Sequence, residues 1–140
     1  MKITKILVLI LALSIAFSPI YTYAKPLNVN TILKDLTNTK LTSIQRRDAV
    51  RQYNGQVAVG KGRVKDVLQV AGTKNDAVVY LTKRFKGETY ELVLTIGLET
   101  AKSIRKGKTI QFEGMFDGTS FNALRFKNVE IIRGKILGIF

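Results

Sequence analysis

The fold is decided by the stretch QVAVGKGRVKDVLQV, residues 56–70. Apolar residues alternate with polar or small ones through Val57 and Val59, which is the two-residue period of a strand. After residues 60–62, a Gly-Lys-Gly sequence, the apolar positions fall on Val64 and Leu68, so the apolar register has moved by one residue. One extra residue in a strand produces such a shift, and glycine permits the bend. We therefore predict one long, bent strand with a β-bulge at residues 60–62.

Four further strands and two helices are predicted on either side of this stretch. Residues 42–45, Thr-Ser-Ile-Gln, have the form of a capping box and predict a helix through about Tyr53. Leu98, Ala101 and Ile104 are spaced by three and predict a second helix of about two turns. The period of two predicts strands over residues 77–84, 89–96, 108–116 and 123–132.

The order of these elements predicts a fold class. Three strands, a short helix and two more strands, with a bent first strand, are the order of the five-stranded OB-fold barrel. A small barrel closes only if one strand belongs to both of its sheets, and residues 56–70 suit that role. Asp117-Gly118 is a hairpin signal and predicts the turn between the last two strands.

We therefore predict a mainly β protein. Its core is a five-stranded OB-fold barrel with a short helix between strands 3 and 4 and an extra N-terminal helix, together spanning residues 42–134. Residues 25–41 are polar with scattered apolar side chains and are expected to form a loosely packed N-terminal arm. Residues 135–140 are expected to form a short C-terminal tail.

The first 24 residues have the layout of a secretory signal peptide. Lys2 and Lys5 form a basic start, and residues 6–17 carry no charge. Small residues then precede a cleavage site between Ala24 and Lys25. The alternative is an uncleaved membrane anchor, but twelve residues of helix rise only about 18 Å against a hydrocarbon core of roughly 30 Å. We expect an exported protein, periplasmic or extracellular, with no stable transmembrane anchor after signal removal.

The composition excludes several classes of chemistry. The chain has no Cys and no His, so it can build neither a disulfide framework, nor a thiolate zinc site, nor a Cys–His or Ser–His–Asp catalytic unit. Its ten acidic residues are scattered and lack the spacing of a cation-binding loop. We expect a binding protein without catalytic residues, cofactor or metal. The formal net charge of +13 favours an anionic ligand.

The sequence resembles a known family in three segments. Residues 53–64, from Tyr-Asn-Gly-Gln-Val to Val-Gly-Lys-Gly-Arg-Val, look like the entry to strand 1 of the small bacterial OB-fold proteins called tRNA-anticodon-binding-like. Residues 104–114 resemble that family's step into strand 4, and residues 124–131 resemble its closing strand. The resemblance covers residues 48–133. It implies an OB fold and, by analogy, nucleic-acid binding.

Outward positions on strands 1–3 supply the candidate binding residues. When the apolar residues of these strands face the core, Arg63, Lys65 and Arg84 face outward and could bind phosphates. Tyr80 also faces outward and could stack on a base. Arg125 and Lys127, both on strand 5, would extend the surface. The predicted ligand is a polyanion such as single-stranded nucleic acid.

Two alternatives to this site remain open. The basic face can be ordinary solvated surface, because charged residues commonly occupy outward strand positions. The chain can also be a cell-envelope module that binds a protein or a glycan and has no nucleic-acid role. Three phenylalanines, Phe85, Phe116 and Phe121, are interpreted as rim or core packing in preference to stacking platforms for bases.

Overall fold

The structure is a computed structural model and describes residues 25–132 of the 140-residue chain. The predicted signal peptide, with Ala24 at its end, and the predicted tail at 135–140 lie outside the described residues. The elements are β1 (Leu27–Asn28), α1 (Val29–Leu36), α2 (Ser43–Arg51), β2 (Val57–Gln69), β3 (Asp76–Phe85), β4 (Glu88–Gly97), α3 (Leu98–Ala101), β5 (Thr109–Ser120) and β6 (Ala123–Ile131).

Strands β2 to β6 form a closed barrel. Their order is β2-β3-β4-β6-β5, and β5 pairs back onto β2. All of these pairings are antiparallel except β4 with β6, which is parallel. The single turn of α3 follows the third barrel strand. The two residues of β1 pair in parallel with Ala58 and Val59 of β2. The predicted OB fold is confirmed.

The long strand β2 joins the two halves of the barrel. Residues 57–63 pair with β5, and residues 63–69 pair with β3, so Arg63 belongs to both ladders. The prediction of one long strand shared by both sheets is confirmed. The predicted position of its bulge is wrong, because the pairing with β5 runs without a break through residues 60–62 and the register shifts instead between Val64 and Asp66.

The two glycines of β2 serve close packing rather than a bulge. A Cβ on Gly60 would lie 2.6 Å from Cγ2 of Val29. A Cβ on Gly62 would lie 2.9 Å from Cβ of Leu81 and 3.0 Å from the carbonyl oxygen of Thr82. All three distances are shorter than a Cβ atom normally allows, so β2 can pass this close to its neighbours only because residues 60 and 62 have no side chain.

The true bulge changes which side of β2 faces the core. Ala58, Gly62 and Val64 are buried in one unbroken register, whereas Val57 is 43% exposed. Beyond the bulge, Leu68 is 50% exposed, so it lies outside the core although the apolar alternation of the sequence groups it with Val64. The extra residue at 65–66 is the cause, because it moves the following side chains to the opposite face.

The turn between β5 and β6 is also displaced from its predicted place. Asp117-Gly118 lies at a register shift within β5, where Gly118 has a φ of +90°. The strand continues to Ser120, and the chain reverses at Phe121-Asn122. The register also shifts within β6 between Lys127 and Glu130, where Asn128 takes a φ of +51°.

The N-terminal segment packs tightly on the barrel. Asn28 caps α1 by accepting a hydrogen bond from the backbone of Asn30, and Val29, Ile32 and Leu33 are fully buried. The expectation of a loosely packed arm is wrong, because these apolar residues share one face of α1 and complete the core. The predicted capping box of α2 is confirmed by both of its reciprocal hydrogen bonds.

Aromatic rings fill the centre of the barrel. Phe126 lies between two other buried rings, with ring centroids 5.1 Å from Phe112 and 5.6 Å from Phe116. No polar or charged side chain among residues 25–132 is buried. The fold therefore depends on apolar packing. Its other buried members are Val50, Ala77, Val79, Leu81, Leu92, Leu94, Ile96, Ala101, Ile110 and Leu124.

A hydrogen bond joins the end of α2 to α1. The hydroxyl of Tyr53 donates to the carboxylate of Asp35. This bond, together with partial burial and the negative charge of Asp35, raises the pKa of Tyr53 to about 12 from its ordinary value of 10.0. The proton of Tyr53 is therefore held more tightly in the folded protein than in the unfolded chain.

We expect Gly62→Ala to lower the free energy of unfolding by about 1–3 kcal/mol, because the backbone carbonyl of Thr82 cannot move aside as a flexible side chain would. The measurement is the denaturant midpoint. Gly97→Ala is the matched control, because Gly97 has a φ of −66° and open space around its Cβ position. Equal midpoints for the two variants would contradict the close approach at Gly62.

Tyr53→Phe tests the bond between the two helices. At pH 7 the variant should lose about 1 kcal/mol of stability. A group whose pKa is raised on folding stabilises the protein below its unfolded pKa, and this contribution falls as the pH rises from 10 to about 12. The native protein should therefore lose more stability than Tyr53→Phe over that interval in chemical unfolding. Parallel pH profiles would show that the bond makes no contribution.

Candidate functional site

One row of outward side chains crosses three barrel strands. The register places Tyr80 of β3 opposite Val93 of β4, and Val93 opposite Arg125 of β6. Neighbouring strands lie about 4.8 Å apart, so Tyr80 and Arg125 stand roughly 10 Å apart with the apolar Val93 between them. Barrel closure thus brings together an aromatic side chain and a cation that are 45 positions apart in the chain.

This row lies in a shallow concavity of about 540 Å³. Its floor and walls come from β2, β3, β4, β6 and the turn between β5 and β6. The side chains that give it its chemical character are Lys65, Tyr80, Glu91, Val93, Phe121 and Arg125.

An ion pair crosses one side of the concavity. Nζ of Lys65 lies 3.2 Å from Oε2 of Glu91, and the bond spans Thr82, which is the β3 partner of Glu91. The Lys65 side chain is 61% exposed and the Glu91 side chain 33% exposed. An ion pair in contact with water contributes little stability, so Lys65 can exchange this carboxylate for a ligand phosphate at small cost.

The structure brings together two of the five predicted binding residues. Lys65 and Tyr80 line the concavity, whereas Arg63, Arg84 and Lys127 do not. Nε of Arg63 donates to the carbonyl oxygen of Gly107 at 3.2 Å, which turns this side chain towards the loop before β5. Two of the five residues therefore lie in this concavity, and a binding surface formed by all five stays a prediction.

Arg84 and Lys127 lie close to the concavity but do not line it. Arg84 is exposed near the end of β3, opposite Thr89. Nζ of Lys127 lies 3.6 Å from Asp117 on the neighbouring strand β5. Beside Arg84, Lys83 is partly buried, and this burial lowers its pKa with a further contribution from the charge of Lys61. The binding role of Arg84 and Lys127 stays a prediction.

Phe121 is the residue of this site that the sequence interpretation missed. It is fully exposed, and it holds a φ of +55° in the turn between β5 and β6. The left-handed backbone conformation is unfavourable for an aromatic residue, and the ring of Phe121 is exposed to water. Packing therefore does not explain why a phenylalanine occupies this position. Packing does explain Phe116, which is fully buried, and Phe85, which is partly buried against the core.

Within residues 25–132, no group of three or more His, Cys, Asp or Glu side chains is placed to hold a metal ion. In the same residues, no helix has the length and apolar character needed to cross a bilayer.

The fold is similar to that of a lipoprotein from Klebsiella pneumoniae subsp. pneumoniae MGH 78578 that is provisionally named as nucleic acid-binding. The TM-score is 0.54 at 14% sequence identity, and the match covers 77% of this chain and 91% of that chain. The crystal structure of yeast Stn1 and Ten1 also matches, with a TM-score of 0.43 at 15% identity, over 87% of this chain and 70% of that chain.

At these identities the likeness concerns the fold alone, and the second match is too distant to carry any argument. No family model matches the sequence, and no curated protein matches it. The OB fold that the resemblance to the tRNA-anticodon-binding-like proteins implied is therefore shown, and membership of that family stays a prediction.

We expect Phe121→Gly to leave the free energy of unfolding unchanged or to raise it by up to about 1 kcal/mol. Relief of the left-handed backbone, about 1–2 kcal/mol, is partly offset by the greater freedom of glycine in the unfolded chain. Phe116→Ala is the contrasting variant and should lose about 3–5 kcal/mol, because its ring is buried. Thermal unfolding compares them. A clear loss of stability in Phe121→Gly would mean that Phe121 has a packing role.

Proposed function

We propose that this chain is an exported, non-catalytic binding module that holds single-stranded nucleic acid across the concavity formed by Lys65, Tyr80, Phe121 and Arg125. The observation that carries this proposal is the fully exposed ring of Phe121 in a concavity that also contains Tyr80 and two cations. Proteins that bind single strands without sequence preference combine these two elements, aromatic rings for the bases and positive charge for the backbone.

The contacts on which the proposal depends do not distinguish one base from another. The aromatic rings stack on any base, and Lys65 and Arg125 supply positive charge for the phosphate backbone. We therefore expect binding that depends on the ligand being single-stranded more than on its sequence. Duplex DNA hides its bases from Tyr80 and Phe121 and should bind more weakly.

Other observations support the remaining parts of the proposal. Export is supported by the signal-peptide pattern of residues 1–24 and by the fold likeness to a bacterial lipoprotein. A non-catalytic role is supported by a sequence that contains neither His nor Cys. The basic surface around the barrel would attract a polyanion before the aromatic contacts form.

The test is a fluorescence anisotropy titration with a labelled oligothymidylate. Tyr80→Ala and Phe121→Ala should each weaken binding by about 1–3 kcal/mol through loss of stacking. Two phosphate contacts, from Lys65 and Arg125, predict that log affinity falls with log salt at a slope of about −1.4. If the affinity changes neither with salt nor with either substitution, the proposal is contradicted. That result would favour the alternative, a cell-envelope module that binds a protein or a glycan.

A substitution of the carboxylate of Glu91 provides a control that should change the affinity in the opposite direction. Glu91→Gln removes the partner of Lys65 and a negative charge from the concavity, so it should strengthen binding. Glu99→Gln is matched to it, because Glu99 also pairs with a lysine, Lys102, but on α3, outside the concavity. Equal gains in the two variants would indicate a nonspecific effect of net charge rather than a site at Lys65.

A further inference from the structure

A second depression adjoins the first on the other side of the β5–β6 turn. Its volume is about 1170 Å³, and its walls are α2, the β3–β4 turn and the β5–β6 turn. Four residues line both depressions: Tyr90, Phe121, Asn122 and Arg125. The two depressions are therefore one continuous trough, with Phe121 at the junction.

The wall formed by α2 is basic. Arg47 and Arg51 are four residues apart, so they lie on one face of the helix with about 6 Å of rise between them. Both side chains are exposed and line the trough. Lys86, in the β3–β4 turn, adds a third cation.

The depression has few other charged side chains, and some of these already have a hydrogen-bond or ion-pair partner. Arg46 donates to the carbonyl oxygens of Leu41 and Asn38, so it stabilises the connection between the helices. Asp117 pairs with Lys127, which leaves Glu88 as the acidic side chain of the depression without an ion pair among residues 25–132. The field in this half of the trough is therefore positive.

The ion pair of Arg51 does not prevent it from binding a ligand. Nη1 of Arg51 lies 3.7 Å from Oδ1 of Asp48, and the two side chains are 67% and 63% exposed. Such a pair is weak in water, and Asp48 does not line the trough. Arg51 can therefore turn to an anion with little loss.

The α2 wall is held in place relative to the barrel. Val50 on α2 is buried at the base of the depression, and α1, which packs against α2, inserts Val29, Ile32 and Leu33 into the core. Groups that are fixed before the ligand arrives lose less entropy on binding than groups on a mobile loop.

We propose that Arg47, Arg51 and Lys86 form a second phosphate-binding subsite, which holds the part of a nucleic-acid strand that continues past Phe121 from the barrel face. This inference rests on the proposed function, because it assigns the same ligand to a longer track. The N-terminal helices, which are additions to the five-stranded barrel, then become part of the binding site. The ligand contacts here are to the backbone and carry no sequence preference.

The experiment compares oligothymidylates of four and twelve nucleotides, within the roughly 4–16 nucleotides that one OB fold covers. The double variant Arg47→Gln/Arg51→Gln should weaken binding of the longer strand by roughly three- to tenfold, as expected for two exposed charge contacts, and leave the shorter strand unaffected. In the native protein the salt slope should be steeper for the longer strand by about 0.7 for each added contact.

Two control variants sharpen the comparison. Lys102→Gln/Arg105→Gln removes the same charge from exposed positions outside the trough and should leave both affinities nearly unchanged. Asp48→Asn releases Arg51 and should strengthen binding of the longer strand only. Thermal unfolding checks that the substitutions at these exposed positions leave the fold intact.

The outcomes separate this inference from the proposed function. If Phe121→Ala weakens binding but Arg47→Gln/Arg51→Gln affects neither strand, the second subsite is wrong and the barrel-face site stands. If the α2 double variant and the control double variant weaken the longer strand equally, the effect is one of net charge and the subsite is again wrong. If neither oligonucleotide binds the native protein, both proposals fail.

Discussion

Closure of the barrel depends on how closely β2 can approach its neighbours. This strand pairs with β5 along its first half and with β3 along its second half. At the crossing, Gly60 lies against Val29 and Phe112, and Gly62 lies against Leu81 and the backbone of Thr82. A Cβ at either position would lie closer to these neighbours than side chains normally allow, so the close approach of β2 depends on two residues that lack a Cβ atom.

The irregularities of the barrel strands determine what the outer surface offers. The shift between Val64 and Asp66 directs Lys65 across β3 to Glu91. The shift at Asp117-Gly118 lets β5 run on to Ser120, so that the turn presents Phe121 beside β4 and β6. Bulges commonly aim side chains at binding sites, and here two of them place a cation and an aromatic ring around the same concavity.

The N-terminal helices connect the core to the outer surface. One face of α1 completes the barrel core, and Tyr53 at the end of α2 donates a hydrogen bond to Asp35 of α1. Through these contacts α2 takes a fixed position beside the β5–β6 turn, where Arg47 and Arg51 face the trough. A segment that adds apolar surface to the core therefore also supplies a basic wall.

The order and type of the elements could be read from the sequence because they depend on local patterns. The alternation of apolar residues predicted the five barrel strands, and Thr42 with Gln45 predicted the cap of α2. Within the candidate site, the same alternation correctly placed Tyr80 and Lys65 on the outside of the barrel, because side chains alternate along a strand whatever their neighbours are.

Only the tertiary structure determined the strand register, the position of the β5–β6 turn and which side chains lie next to one another. Residues 60–62 look like a bend in the sequence, and only the neighbours of Gly60 and Gly62 show that they serve close approach. Likewise Asp117-Gly118 has the composition of a hairpin turn, yet pairing with β6 makes it a bulge and exposes Phe121. Local sequence determines which conformations a segment can adopt, but contacts between residues distant in the chain select one of them.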